Sequence, residues 1–100
     1  DLTIRLIGIE AIPQKESEAI DFLTRKILKR QIYIKFDEIK YDEQQHLFAY
    51  VFLKNKTFIN AHLVKLNLCR VDDSYEYKYK HKFQTIQQEK SVHEDATQNT

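Results

Sequence analysis

Three runs of this chain read as β-strands, two by alternation and one by its apolar density, and three strands are too few to close a barrel on themselves. Leu2 to Ile9 sets Leu2, Ile4, Leu6 and Gly8 on one face and Thr3, Arg5, Ile7 and Ile9 on the other. Both faces carry apolar side chains, so most of this strand must be covered. Gln31 to Phe36 sets Ile32, Ile34 and Phe36 against Tyr33 and Lys35. His46 to Leu53 is dense in apolar and aromatic residues, as a buried strand is. A sheet made of these three keeps unpaired edges, which predicts self-association, as a homodimer, or completion by another chain. Gly8 is the only glycine, and inside a strand it marks a bend, a bulge or a close approach of backbone.

The intervening segments predict helices. Pro13 and the polar run Gln14 to Glu16 end the first strand. Ser17 is the expected N-cap of a helix over Glu18 to Lys29, with Ile20, Leu23 and Ile27 at helical spacing and Lys26, Lys29 and Arg30 at the cation-favouring end. With Arg25 these form a cationic helix end, expected to be a solvated face. Asp37 to Gln45 reads as a long polar connection and Lys54 to Lys56 as a turn. Asn60 is expected to cap a short helix that turns Leu63, Val64 and Leu66 inward. Tyr75, Tyr77, Tyr79 and Phe83 fit a strand or a helix, and the Gln-rich residues that follow favour a helix over Tyr79 to Ser91. The order strand, helix, strand, strand, helix, helix defines an α+β domain over residues 1–91. Residues 92–100 offer nothing to bury and are expected to be a disordered tail.

Composition excludes more than it selects. Sixteen Lys and Arg against fifteen Asp and Glu leave a net charge of +1, which gives no electrostatic case for nucleic acid. Cys69 stands alone, so no intrachain disulfide is available, and no Cys/His spacing matches a zinc site. It is expected in the core. No run approaches the ~20 apolar residues of a membrane span, so no membrane partner is expected. The chain opens as a strand already under way, without an initiator Met or a targeting segment, and is read as a fragment or a processed piece. Nothing in it assigns a compartment.

Four segments then match one family in order and spacing: Ile4 to Glu10, Ser17 to Leu23, Asp42 to Val51, and Phe58 to Val64 with Leu68 to Val71. Together they resemble the staphylococcal nuclease family, also found as repeats in Tudor-staphylococcal-nuclease proteins. The resemblance implies a partial OB-fold with about three strands of a five-stranded barrel plus three helices, lacking the family's first hairpin. It also implies the family's chemistry, which is phosphodiester hydrolysis by one calcium ion, a carboxylate general base and two arginines.

Residue by residue, that set is incomplete. Arg5 matches the strand arginine that contacts the phosphate. Glu10 stands at a calcium-binding Asp, one methylene longer, and Ala11 replaces a Thr that serves the metal through its carbonyl. The general base falls at Pro13, or at Gln14 if one residue is inserted, and Gln14 cannot take a proton at neutral pH. Glu16 reaches that position only if the loop is re-registered. His46 replaces the second arginine and offers no bidentate fork. Losing one such donor costs ~3–4 kcal/mol of transition-state stabilisation, roughly 10²–10³-fold in rate. The resemblance therefore implies a catalytically inactive module that keeps a binding role, toward single-stranded nucleic acid or protein, with no cofactor. The alternative is a calcium-dependent nuclease completed by upstream strands. Tyr75 and Tyr77 fall in the region of the family's base pocket, with Lys78, Lys80 and Lys82 as cations for phosphates, but the balanced net charge favours tyrosines that pack the last helix onto the barrel and lysines that are solvated.

Overall fold

The computed structural model describes residues 3–28 and 30–98, with side chains in the last helix as far as Glu89. Five short strands and three α-helices follow one another: β1 (Ile4–Leu6), β2 (Ile9–Ala11), α1 (Glu16–Ile27), β3 (Ile32–Tyr41), β4 (Leu47–Leu53), α2 (Ile59–Lys65), β5 (Cys69–Val71) and α3 (Lys80–Gln98). The three expected strand runs supply one sheet in the order β1-β4-β3, while β2, which begins at the end of the first run, and β5 form a second, antiparallel pair. Among the described residues the outer edges of β1 and β3 are unpaired, so the α+β fold is an open, partial OB-like barrel.

Gly8 explains why there are two sheets. The first run bends at Ile7–Gly8 and separates β1, parallel to β4, from β2, antiparallel to β5. Gly8 holds φ at +81°, where side chains are disfavoured, and a Cβ there would lie 2.5 Å from Tyr77 Cε2 and 2.8 Å from Phe83 Cε2. Only glycine allows both the bend and the rings packed on it. The Gly8 N–H donates to the Tyr75 hydroxyl at 2.8 Å. The Tyr77 hydroxyl lies 3.2 Å from Gly8 O and 3.1 Å from Asp72 O, its one proton serving either carbonyl.

Asn60 is a second internal fastening. It was expected as an N-cap, but Phe58 takes that position and Asn60 sits in the first turn, completely buried. Its side chain turns away from its own helix. Oδ1 accepts the Val51 N–H at 2.9 Å, and Nδ2 donates to Ile7 O at 3.0 Å and Ala49 O at 3.3 Å. A buried amide is tolerated because both its ends are satisfied. The result ties α2 to β4 and to the end of β1 at once.

Two packed clusters surround these fastenings. Ile7, Tyr50, Val64, Val71, Tyr77 and Phe83 pack beneath α3, while Phe22, Val51, Leu53, Ile59, Leu63 and Cys69 pack beneath α1. Each large aliphatic side chain so buried contributes ~1.5–3 kcal/mol. Cys69 is a core residue as expected, and burial raises its thiol pKa.

Several boundaries differ from the sequence reading. A 3-10 turn over Pro13–Lys15 starts α1 at Glu16, so Ser17 lies inside the helix and Lys15 holds the cap position. The buried face is Ala19 and Phe22, and Ile20 is 54% exposed. Leu66, expected inward from α2, is 43% exposed. The polar stretch after Phe36 is not all connection. β3 continues through it to Tyr41, with a register irregularity between Phe36 and Tyr41 that absorbs the unfavourable composition. α3 starts at Lys80 and continues past Ser91 to Gln98. Leu2 of the expected first strand, Lys29 of the cationic helix end, and the last two residues of the expected tail lie outside the described residues.

Candidate functional site: a cleft between the β3–β4 turn and the tyrosine loop

Arg5 lies in the middle of β1, opposite Phe48 of β4, and its guanidinium sits 5.5 Å from the Phe48 ring centroid. The β3–β4 turn brings Asp42 alongside. Asp42 folds that turn on itself, because Oδ1 accepts the N–H groups of Gln44 at 2.9 Å and His46 at 2.8 Å. Oδ2 then faces Arg5 at 3.7 Å and His46 Nδ1 at 3.3 Å. The Asp42 side chain is 5% exposed, whereas those of Arg5 and His46 are 52% and 36% exposed. Burial alone would raise the Asp42 pKa, but the two amides and the neighbouring His46 and Arg5 outweigh it, and the carboxyl is held below its ordinary value.

These groups open onto a cleft of ≈ 390 Å³ walled by Arg5, Ile39, Tyr41, Phe48 and Tyr75, with Asp42, Glu43 and Asp72 around it. A second hollow of ≈ 310 Å³ adjoins it, sharing Ile39, Phe48 and Tyr75 and continuing to Asp37, Glu76 and Lys78. Asp37 joins three segments there. Its Oδ2 accepts from the Tyr50 hydroxyl at 2.6 Å and the Lys78 N–H at 2.8 Å, and its Oδ1 from the Glu38 N–H at 2.9 Å. Burial raises its pKa, and those hydrogen bonds with the Lys78 charge more than reverse the effect. The same contact, after burial, pushes the Tyr50 hydroxyl well above its usual range.

The structure gathers some of the expected site residues and scatters others. Arg5 and His46 meet through Asp42, a partner the residue-by-residue reading did not single out. The Asp-x₃-His spacing across a turn was the available signal. Tyr75 lies on the wall of both hollows. Tyr77 lines the second but is only 8% exposed, with its hydroxyl spent on backbone, so it presents almost no ring face to a ligand. Lys78 stands at the rim with its ammonium 5.5 Å from the Tyr79 ring centroid. Lys80 is paired with Glu76 at 2.8 Å, and Lys82 lies over the Phe58 and Tyr79 rings. Glu10 is elsewhere. On β2 it faces Arg70 across the ladder and accepts its Nε–H at 2.6 Å. Gln14 is exposed in the 3-10 turn, and Glu16 lines a separate surface hollow with Pro13, Ser17, Ile20 and Asp21.

A calcium ion of the kind the resemblance implies does not fit these donors. Glu10 is committed to Arg70, and Asp42 has both oxygens engaged. Among the described residues no group of three His, Cys, Asp or Glu side chains gathers as metal ligands. What the cleft offers is an aromatic and aliphatic wall, one half-exposed guanidinium and several ionised carboxylates.

The class of protein is thus an open OB-like barrel with a cleft between its β3–β4 turn and the loop before its last helix. The model of the staphylococcal nuclease homologue family matches residues 3–97, and the chain belongs to that family. No curated protein matches the chain. Among the described residues no helix is long and apolar enough to cross a membrane.

Proposed function

We propose that this chain is a catalytically inactive nuclease-like module that binds a partner where its family carries out hydrolysis. The observation that carries this reading is the shared anchor of Arg5 and His46. Both lean on Asp42, so the groups in the two arginine positions face a carboxylate in place of an open phosphate pocket. The positions the family pattern offers for the general base and the metal lie elsewhere, since Gln14 and Glu16 fall outside the cleft and Glu10 is paired with Arg70. The cleft itself persists, and its Phe48–Tyr75 wall is a surface on which a ligand can pack.

A fluorophore–quencher single-stranded oligonucleotide, incubated with the chain and calcium, tests this reading. No growth of signal above a protein-free control is expected. Calcium-dependent growth that disappears in Arg5→Ala overturns it.

One observation favours a second reading. Arg5 keeps half its side chain exposed at the mouth of the cleft, where a phosphate can still reach it. A calcium-dependent nuclease would then require further strands to supply the missing carboxylates. Addition of a peptide that restores both calcium binding and cleavage would establish it.

A further inference from the structure

The two adjoining hollows make one groove, and its charge selects its occupant. The floor is apolar, built from Ile39, Phe48 and Tyr75, which both hollows share. Ile39 is 62% exposed and Tyr41, next along the wall, 52%, an unusual exposure for large apolar side chains that sit together. Asp37, Glu38 and Glu76 line one hollow, and Asp42, Glu43 and Asp72 the other. Against these six carboxylates the lining supplies two cations, Arg5 and Lys78. Both are engaged, Arg5 with Asp42 and Phe48, and Lys78 with the Tyr79 ring. Lys80, just outside, neutralises Glu76.

Whole-chain charge conceals this. The net +1 of the sequence averages a carboxylate-rich groove with cations held elsewhere. A polyanion gains affinity from cations that neutralise its phosphates, and this groove opposes each phosphate with several carboxylates. A cationic ligand meets the reverse situation. The Glu38 and Glu43 side chains have no hydrogen-bond or ion-pair partner among the described residues, so they meet an incoming cation without first releasing an internal one. The exposed aromatic faces add cation–π attraction for guanidinium or ammonium groups, with Arg favoured for its flat fork.

We infer that the groove takes an extended, arginine- or lysine-bearing peptide segment of a protein partner, with cationic side chains at Glu38 and Glu43 and the intervening chain packed over Ile39 and Tyr75. This inference rests on the reading of the chain as a binding module and names its partner class.

A fluorescein-labelled peptide of about ten residues alternating Arg and Gly, titrated with the chain at low and moderate salt, tests it by anisotropy. Saturable binding is expected, weakening as salt rises. The double variant Glu38→Lys, Glu43→Lys weakens it roughly tenfold or more, because both carboxylates become like charges. Ile39→Ala, which leaves the charges intact, weakens it less and without changing the salt dependence. Circular dichroism of the variants checks that they fold. Failure of the peptide to bind, or binding that the double variant leaves unchanged, overturns the inference. So does preferential binding of a labelled single-stranded oligonucleotide. None of these outcomes bears on cleavage, which alone decides whether the module is inactive, so the two claims fail separately.

Discussion

The two ends of the first strand segment reach opposite solutions to the same problem of placing polar groups. At the Gly8 end, polar groups are buried or half-buried and find partners distant in the chain, Gly8 O accepting from the Asp72 N–H as well as from Tyr77. The Gly8 N–H meets Tyr75, Gly8 O meets Tyr77, and Ile7 O meets Asn60. At the Arg5 end, the cationic side chains of Arg5 and His46 are partly exposed and both lean on Asp42, whose carboxylate is buried but held also by two amides of its own turn. Buried partners cannot be exchanged for water without loss, while exposed ones can. The first end therefore holds the barrel together, and the second contributes little to it.

Substitutions at the two ends should separate accordingly in urea denaturation. Gly8→Ala should be the most damaging, by roughly 3–5 kcal/mol, because the new Cβ meets the Tyr77 and Phe83 rings and the backbone is strained at positive φ. Asn60→Ala should cost about 2–3 kcal/mol by taking their side-chain partner from the Val51 N–H and Ile7 O in the interior, while Ala49 O keeps the Ile7 N–H. Tyr75→Phe should cost about 1–2 kcal/mol, the consequence of one unmet Gly8 N–H.

The pH dependence belongs to the same division. Burial, then the hydrogen bond to and charge of Asp37, push the Tyr50 hydroxyl above its ordinary 10.0, and burial does the same for Tyr77. The folded state therefore holds these protons more tightly than the unfolded chain. Their contribution is complete below about pH 10 and is lost as pH rises above it. On the acid side, Asp37, Asp42 and Asp72 are held below their ordinary 3.8, so their contribution is present above about pH 4 and is lost as pH falls. Urea midpoints across pH 3–11 should show a plateau with both shoulders, and Tyr50→Phe should blunt the alkaline one. The smallest effect belongs to Arg5→Ala. It should leave the urea midpoint within measurement scatter, since Asp42 keeps its two amide donors and its turn. A large loss there would mean that the exposed end also carries the fold.

Local pattern exposed the elements and long-range partners decided what they do. The alternation of Leu2 to Ile9 was readable as a strand and Gly8 as a bend. That the bend splits the run between two sheets depends on Tyr75 and Tyr77, nearly seventy residues away in the chain. Asn60 looked like a cap because caps are a local habit of asparagine, and its partners on β1 and β4 lie outside any local window. Cys69–Val71 is too short to show alternation, and it becomes a strand by pairing with β2. At the site, Arg5 and His46 were legible from the family pattern. Asp42, which binds both, and the carboxylates of the groove become visible only when β3 brings them beside the tyrosine loop.

If the module is inactive and its groove disfavours phosphate, as proposed, a single-stranded oligonucleotide is neither held nor cut. Time-resolved anisotropy of a labelled single-stranded oligonucleotide, with calcium present and salt low, tests it most directly. A flat signal is expected, unchanged from the free oligonucleotide through the whole time course. A rise on mixing followed by a calcium-dependent decay would contradict it, because the chain would then both bind and cut.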